Sequence, residues 1–269
     1  MPRQSRIVVP DQPHHVTQRG NRRAPIFFEP GDQAVYLNLL ARETRRRDVA
    51  VWAYCLMHNH VHLIMTPRTT DALGLAVGEA HRRYTNFVNA RAGWTGHLFQ
   101  SRFASVAMDE AHLLAAARYV SLNPVRARLV ERAEDRAWSS VRAHLAGVDD
   151  ALVTERPLLD REPEFARLLS ETDDDDPQRF EALRRAEMTG RPAGDANFVA
   201  AIERTLGRIV TCRGRGRPAG QGGQPTVAGF KVVKYIVSRF SSEPPSGGLA
   251  HLVFPPSRMT GLRGEPDCL

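Results

Sequence analysis

The stretch VAVWAYCLMHNHVHLIMT, residues 49–66, holds two apolar runs separated by a polar break at His58-Asn59. The first run, VAVWAYCL (49–56), suits a buried strand. The second, His60 to Thr66, stops at Pro67, which has no N–H to give to a sheet ladder. Side chains alternate along a strand, so His60 and His62 share one face while Val61 points to the other. About 6–7 Å apart along the strand, two such imidazoles can chelate one metal ion, and Leu63, Ile64 and Met65 would anchor the site in the core. A His-x-His pair taken alone equally describes polar residues on a half-exposed sheet, so its meaning depends on the rest of the chain.

Upstream, HHVTQR (14–19) reads as a short strand ended by the turn pair Gly20-Asn21. After Pro30-Gly31, residues 32–47 carry Ala34, Val35, Leu37, Leu39 and Leu40, then Arg45, Arg46 and Arg47. That pattern predicts an amphipathic helix with cations in its last turn, where the helix dipole favours them. Downstream, a helix is predicted over 71–90 from an Asp71 cap, and a strand over 102–108. Asp109 then caps a helix through Leu122, expected to stop at Asn123-Pro124 because a residue before proline avoids helical geometry. The order strand, helix, two strands, helix, strand, helix predicts an α+β fold: a ferredoxin-like antiparallel sheet with helices on one face.

The expected boundary lies at GVDD (147–150), closing a first domain over 1–148. Residues 149–212 read as a small helical accessory region, interrupted by the acidic run ETDDDD (171–176), a solvated linker. Residues 213–269 form a basic, Gly/Pro-rich tail expected to be disordered. Charge follows the same division. Residues 1–148 hold 20 basic and 12 acidic residues, 149–212 hold 9 and 15, and 213–269 hold 8 and 3. A basic first domain fits a polyanionic partner, although 35 of the 37 basic residues are Arg, which codon bias alone would produce. No apolar run approaches the roughly 20 residues of a membrane helix. Three dispersed cysteines, Cys55, Cys212 and Cys268, argue against both a disulfide framework and a cysteine zinc site. A reducing, cytoplasmic location, on the nucleoid, is expected.

A second element gives the histidine pair its meaning. In YVSLNPVRARLV (119–130), Tyr119 and Asn123 are four residues apart and so share a helix face. A tyrosine hydroxyl near a dication is a plausible nucleophile for a phosphoryl centre, and Asn123 can lend an amide oxygen to the metal. By spacing alone Tyr119 also reads as a packing residue. Tyr84 is the rival nucleophile, but Val88 stands where an amide would be needed; Tyr36 and Tyr54 fall in packed elements.

With these two motifs together, the chain resembles the single-tyrosine HUH transposases, above all the REP-associated tyrosine transposases of bacteria. The resemblance rests on His60-Val61-His62 with Tyr119-Val120-Ser121-Leu122-Asn123-Pro124. HHVTQRGNRR (14–23), EAHRRYTNFVN (79–89), GHLFQSRF (96–103), NPVRARLV (123–130) and AWSS (137–140) extend it over nearly all of 14–148. One position departs: the residue before Asn59 is commonly proline in such proteins and is His58 here, read as a turn residue, although in a continued strand it would share the face of His60 and His62 and could bind metal.

The resemblance implies that His60 and His62 hold Mg²⁺ or Mn²⁺ with Asn123 as third ligand, and that Tyr119 attacks a phosphate of single-stranded DNA. The product would be a 5′-phosphotyrosine and a free 3′-OH, with no nucleotide cofactor. Hairpin-forming repeats are the implied substrate, for a monomer or homodimer and with no membrane partner. Arg19, Arg22, Arg23, Arg82, Arg83 and Arg102 are the expected phosphate contacts, with Trp94 and Phe99 as base-stacking surfaces. Arg213-Gly214-Arg215-Gly216-Arg217-Pro218 resembles a minor-groove arm. Two other functions are compatible with the sequence: a domesticated hairpin binder without catalysis, and a phosphodiesterase that uses water in place of tyrosine.

Overall fold

The computed structural model describes residues 6–170 and 185–211; the acidic run 171–176 and the basic tail with its Arg-Gly repeat lie outside them. The leading elements are β1 (His14–Arg19), α1 (Asp32–Arg46), β2 (Val49–Leu56), β3 (His60–Pro67), α2 (Ala72–Ala92), β4 (Ala104–Ala107) and α3 (Glu110–Arg126). The strands form one antiparallel sheet in the order β2-β3-β1-β4. This is the expected α+β arrangement, β-α-β-β-α-β with ferredoxin-like strand order.

Alternation sorts the sheet into two buried faces. Val16, Val61, Leu63, Met65, Tyr54 and Leu56 pack against Tyr36 and Leu40 of α1 and Leu73, Val77 and Tyr84 of α2. Each such side chain contributes about 1.5–3 kcal/mol by leaving water. Where helices on one face were expected, α3 adds a layer on the other: Ala53, Cys55, Ile64 and Val106 meet Leu113, Ala116, Ala117 and Val120. The continuous apolar run of β2 is the local consequence, since a strand covered on both faces has no solvent side to mark with polar residues. A bulge between Val51 and Ala53 leaves Trp52 as the extra residue, and Trp52 and Ala53 both join the α3 side.

The third helix begins as predicted, with the Asp109 carboxylate accepting from His112 N at 2.9 Å. It does not stop at Asn123-Pro124 but runs on to Arg126, with Pro124 inside it and buried. Proline removes a single intrahelical bond, and the last turn tolerates that loss when the ring itself is packed. Asn123 is therefore a residue of the last turn and not a helix terminus.

Further helices follow: α4 (Val141–Ala146), α5 (Arg156–Leu159), α6 (Phe165–Ser170), a helical turn at 185–189, and α7 (Ala196–Leu206). The AWSS stretch runs along the outer edge of β2. Leu56 N donates to Trp138 O at 2.9 Å, and Tyr54 N donates to Ser140 Oγ at 3.0 Å. An otherwise open strand edge is thereby covered. Leu158, Phe165 and Leu168 extend the core beneath α3. Among the described residues no helix is long and apolar enough to cross a membrane.

Candidate active site

The antiparallel register places Thr17 opposite His62 and Arg19 opposite His60, so His15, Thr17 and Arg19 share the face of both histidines. Their rings lie close, with centroids 4.9 Å apart between His60 and His62 and 5.2 Å between His15 and His62. Helix α3 crosses this same face and delivers Tyr119, whose ring centroid stands 5.4 Å from that of His62 and 6.3 Å from that of His15. A cleft of about 820 Å³ opens here, lined by His60, His62, Tyr119, Glu187 and a set of arginines: Arg19, Arg23, Arg102 and Arg185. Four guanidinium groups against one carboxylate make a wall suited to phosphate.

Hydrogen bonding orients the imidazoles. Asn59 Nδ2 donates to Arg23 O at 2.9 Å, which turns its Oδ1 toward His60 Nδ1, 2.7 Å away. His60 Nδ1 must then carry the proton, and Nε2 keeps its lone pair. His62 Nδ1 lies 3.1 Å from His15 Nε2, and His15 Nδ1 lies 3.0 Å from Glu187 Oε1. That last pair is close but not aligned as a hydrogen bond, and His15 Nδ1, His62 Nε2 and Glu187 Oε1 are all buried without a hydrogen-bond partner. Each unmade bond costs about 1–3 kcal/mol, so their convergence marks a place that something else completes.

One donor atom from each of His15, His62 and Glu187 lies within 4.8 Å of the others. Imidazole nitrogens beside an oxygen donor fit a divalent cation. Burial, with Arg19 adding to it, pushes His60 down to about 4. Burial and the neighbouring His15, His60 and Arg19 hold His62 well below the usual histidine range. Both rings are neutral near pH 7, the form that donates a lone pair.

The structure brings together many of the residues singled out in the sequence. His60, His62, Tyr119, Arg19, Arg23 and Arg102 line one cleft. Asn123 is half-buried and is not among its lining residues. His58 is an exposed turn residue. Arg22 is exposed beside Arg23. Arg82 lines an adjoining cavity that shares Gln18, Ser101 and Arg102 with the cleft. Arg83 is engaged by Glu79 at 2.7 Å and Glu43 at 3.5 Å. Trp94 is 52% exposed and offers an open ring, whereas Phe99 is a core residue, 8% exposed and stacked on His81 at 4.4 Å. Tyr84 is fully buried and donates to Ile26 O at 2.7 Å, which removes it as a nucleophile.

Three participants were not singled out in the sequence: His15, Asn59 and Glu187. Strand alternation sets His15 on the face of Arg19, but only the pairing of β1 with β3 brings it to His62. Glu187 lies far along the chain with no motif around it.

Residues 9–123 match the model of the IS200-like transposases. The matched segment holds β1 to β4 and α3 as far as Asn123, and so contains His60, His62 and Tyr119 but not Glu187. Among solved structures, the chain is similar to a REP-associated tyrosine transposase bound to a REP hairpin, with 18% identity, a TM-score of 0.47, and 57% of this chain and 92% of that one covered. It is also similar to a transposase of Deinococcus radiodurans R1, at 18% identity and a TM-score of 0.32, over 44% of this chain and 95% of that one. No curated protein sequence matches it.

Proposed function

We propose that this chain is an IS200-like transposase that cuts and rejoins single-stranded, hairpin-forming DNA through a covalent bond to Tyr119. The observation that carries the reading is Tyr119 on the wall of one arginine-lined cleft with His60 and His62. Residues 1–148 form the nuclease and strand-transfer domain in this proposal, and 149–212 a helical accessory region.

His60 and His62 are the assigned ligands of a divalent cation, Mg²⁺ or Mn²⁺, with Asn123, one helical turn beyond Tyr119, as the third. Bound there, the cation supplies positive charge that polarises the scissile phosphate. The Tyr119 hydroxyl oxygen forms a bond to phosphorus, the bond from phosphorus to the 3′ oxygen breaks, and that oxygen leaves as a free 3′-OH, taking up a proton. The phosphate stays on tyrosine through its 5′ ester, and attack by another 3′-OH reverses the step. Ester replaces ester, so no nucleotide cofactor is consumed. Arg19, Arg23 and Arg102 orient the backbone, and positioning with charge stabilisation supplies the catalysis.

A trapping experiment tests this directly. Hairpin DNA labelled on the 3′ side of the cut is incubated with protein and Mg²⁺ or Mn²⁺, comparing the wild type with Tyr119→Phe. A labelled adduct that needs metal and disappears in the variant is expected. Binding without an adduct would favour a domesticated hairpin binder, and cleavage without one a water-using phosphodiesterase.

A further inference from the structure

We propose that Glu187, which lies beyond the family-matched segment, is a positioning residue for the metal site: acting through His15, it sets which nitrogen of His62 carries the proton. The proposal rests on the reading of His62 as a cation ligand.

With both imidazoles neutral, the contacts favour one arrangement. Glu187 Oε1 stands 3.0 Å from His15 Nδ1. A carboxylate only accepts, so once this close pair aligns His15 Nδ1 is the donor, and a neutral imidazole, with its single N–H, then keeps Nε2 as an acceptor. His62 Nδ1, 3.1 Å from that nitrogen, must therefore carry the proton. The lone pair of His62 then sits on Nε2, the buried atom with no hydrogen-bond partner. Without Glu187, His15 is free to place its proton on Nε2 and donate to His62 Nδ1. His62 would then hold its proton on Nε2, the atom needed for a cation.

Asn59 performs the same service for His60 at a distance of 2.7 Å. Each imidazole thus has its own orienting partner, the usual requirement for a metal-binding histidine. The difference is that Asn59 adjoins its histidine in sequence, while Glu187 arrives on the helical turn 185–189 together with Arg185 and Met188, which also line the cleft. A segment after the family-matched region therefore completes the site.

The test uses the full-length protein without DNA. Calorimetric titration with MnCl₂ compares the wild type with Glu187→Ala, Glu187→Gln and His62→Ala, and long-range ¹H–¹⁵N imidazole spectra of the metal-free proteins read the tautomers. Glu187→Ala is expected to weaken Mn²⁺ binding at least about 10-fold and to lose the single Nδ1–H form of His62. Glu187→Gln, whose amide oxygen still accepts from His15, recovers most of the affinity, and His62→Ala abolishes binding. Wild-type affinity and an unchanged His62 tautomer in Glu187→Ala would overturn the relay. Equal loss in the Ala and Gln variants would make Glu187 a ligand and overturn it as well. Undiminished binding by His62→Ala would instead remove the metal reading on which the relay's role depends; the metal-free spectra report on the relay itself in either case.

Discussion

Among single residues, the arginines read from the sequence as phosphate contacts differ in how much of their charge the protein already uses. Arg83 is tied to Glu79 and Glu43. Arg19 and Arg23 line the cleft and, among the described residues, stand in no ion pair with a carboxylate. Gly20 N donates to Asn59 O at 2.8 Å, and a Cβ there would run into Ala24 O. Phosphate contacts release counterions, and for single strands each contributes about 0.7 to the slope of log affinity against log salt. The double variant Arg19→Ala, Arg23→Ala is expected to flatten that slope by roughly 1.4, measured by fluorescence anisotropy on a hairpin across a salt series. An unchanged slope would take both residues out of the phosphate path.

At the level of elements, α1 and α2 are tied by buried acids of α1, Asp32 and Glu43, that face arginines of α2. Asp32, 1% exposed at the start of α1, accepts from the amides of Phe28 and Glu29 and from Arg91 at the end of α2, at 2.6 and 3.0 Å. Burial works to raise the Asp32 carboxyl, but the hydrogen bonds from Arg91 and the two amides outweigh it and hold the group below its ordinary value. Arg91→Ala is expected to destabilise the fold near pH 7, lowering the midpoint of urea denaturation. Because the folded value is depressed, this contribution is present above about pH 4 and fades as pH falls through the folded value. The difference between variant and wild type should therefore shrink in acid. The sequence marked α1 and α2 by their apolar spacing, yet neither helix alone reveals that Asp32 and Arg91 meet.

At the scale of the whole fold, buried neutral histidines are expected to lower stability in acid. His14 accepts from Val9 N at 3.1 Å, and burial lowers it to about 4. His81 contacts the Tyr36 hydroxyl at 2.9 Å, and burial followed by Arg6 lowers it to about 3. In the unfolded chain both titrate near 6.5. Below that pH the unfolded state takes up protons that the native state refuses, so stability falls by up to about 1.4 kcal/mol per pH unit for each. Unfolding free energies measured from pH 7 to pH 5 should decline steadily; a flat profile would show that neither histidine is buried neutral. The sequence by itself determined what repeats at short range. Period-2 alternation set His60 and His62 on one face, helical spacing set Asn123 one turn beyond Tyr119, and the order of elements set the ferredoxin-like sheet. Only the tertiary structure decided that α3 covers the second face, that Phe99 is core, and that His15 and Glu187 reach His62. Those outcomes depend on strand order and packing between residues distant in the chain, where no local periodicity carries a signal.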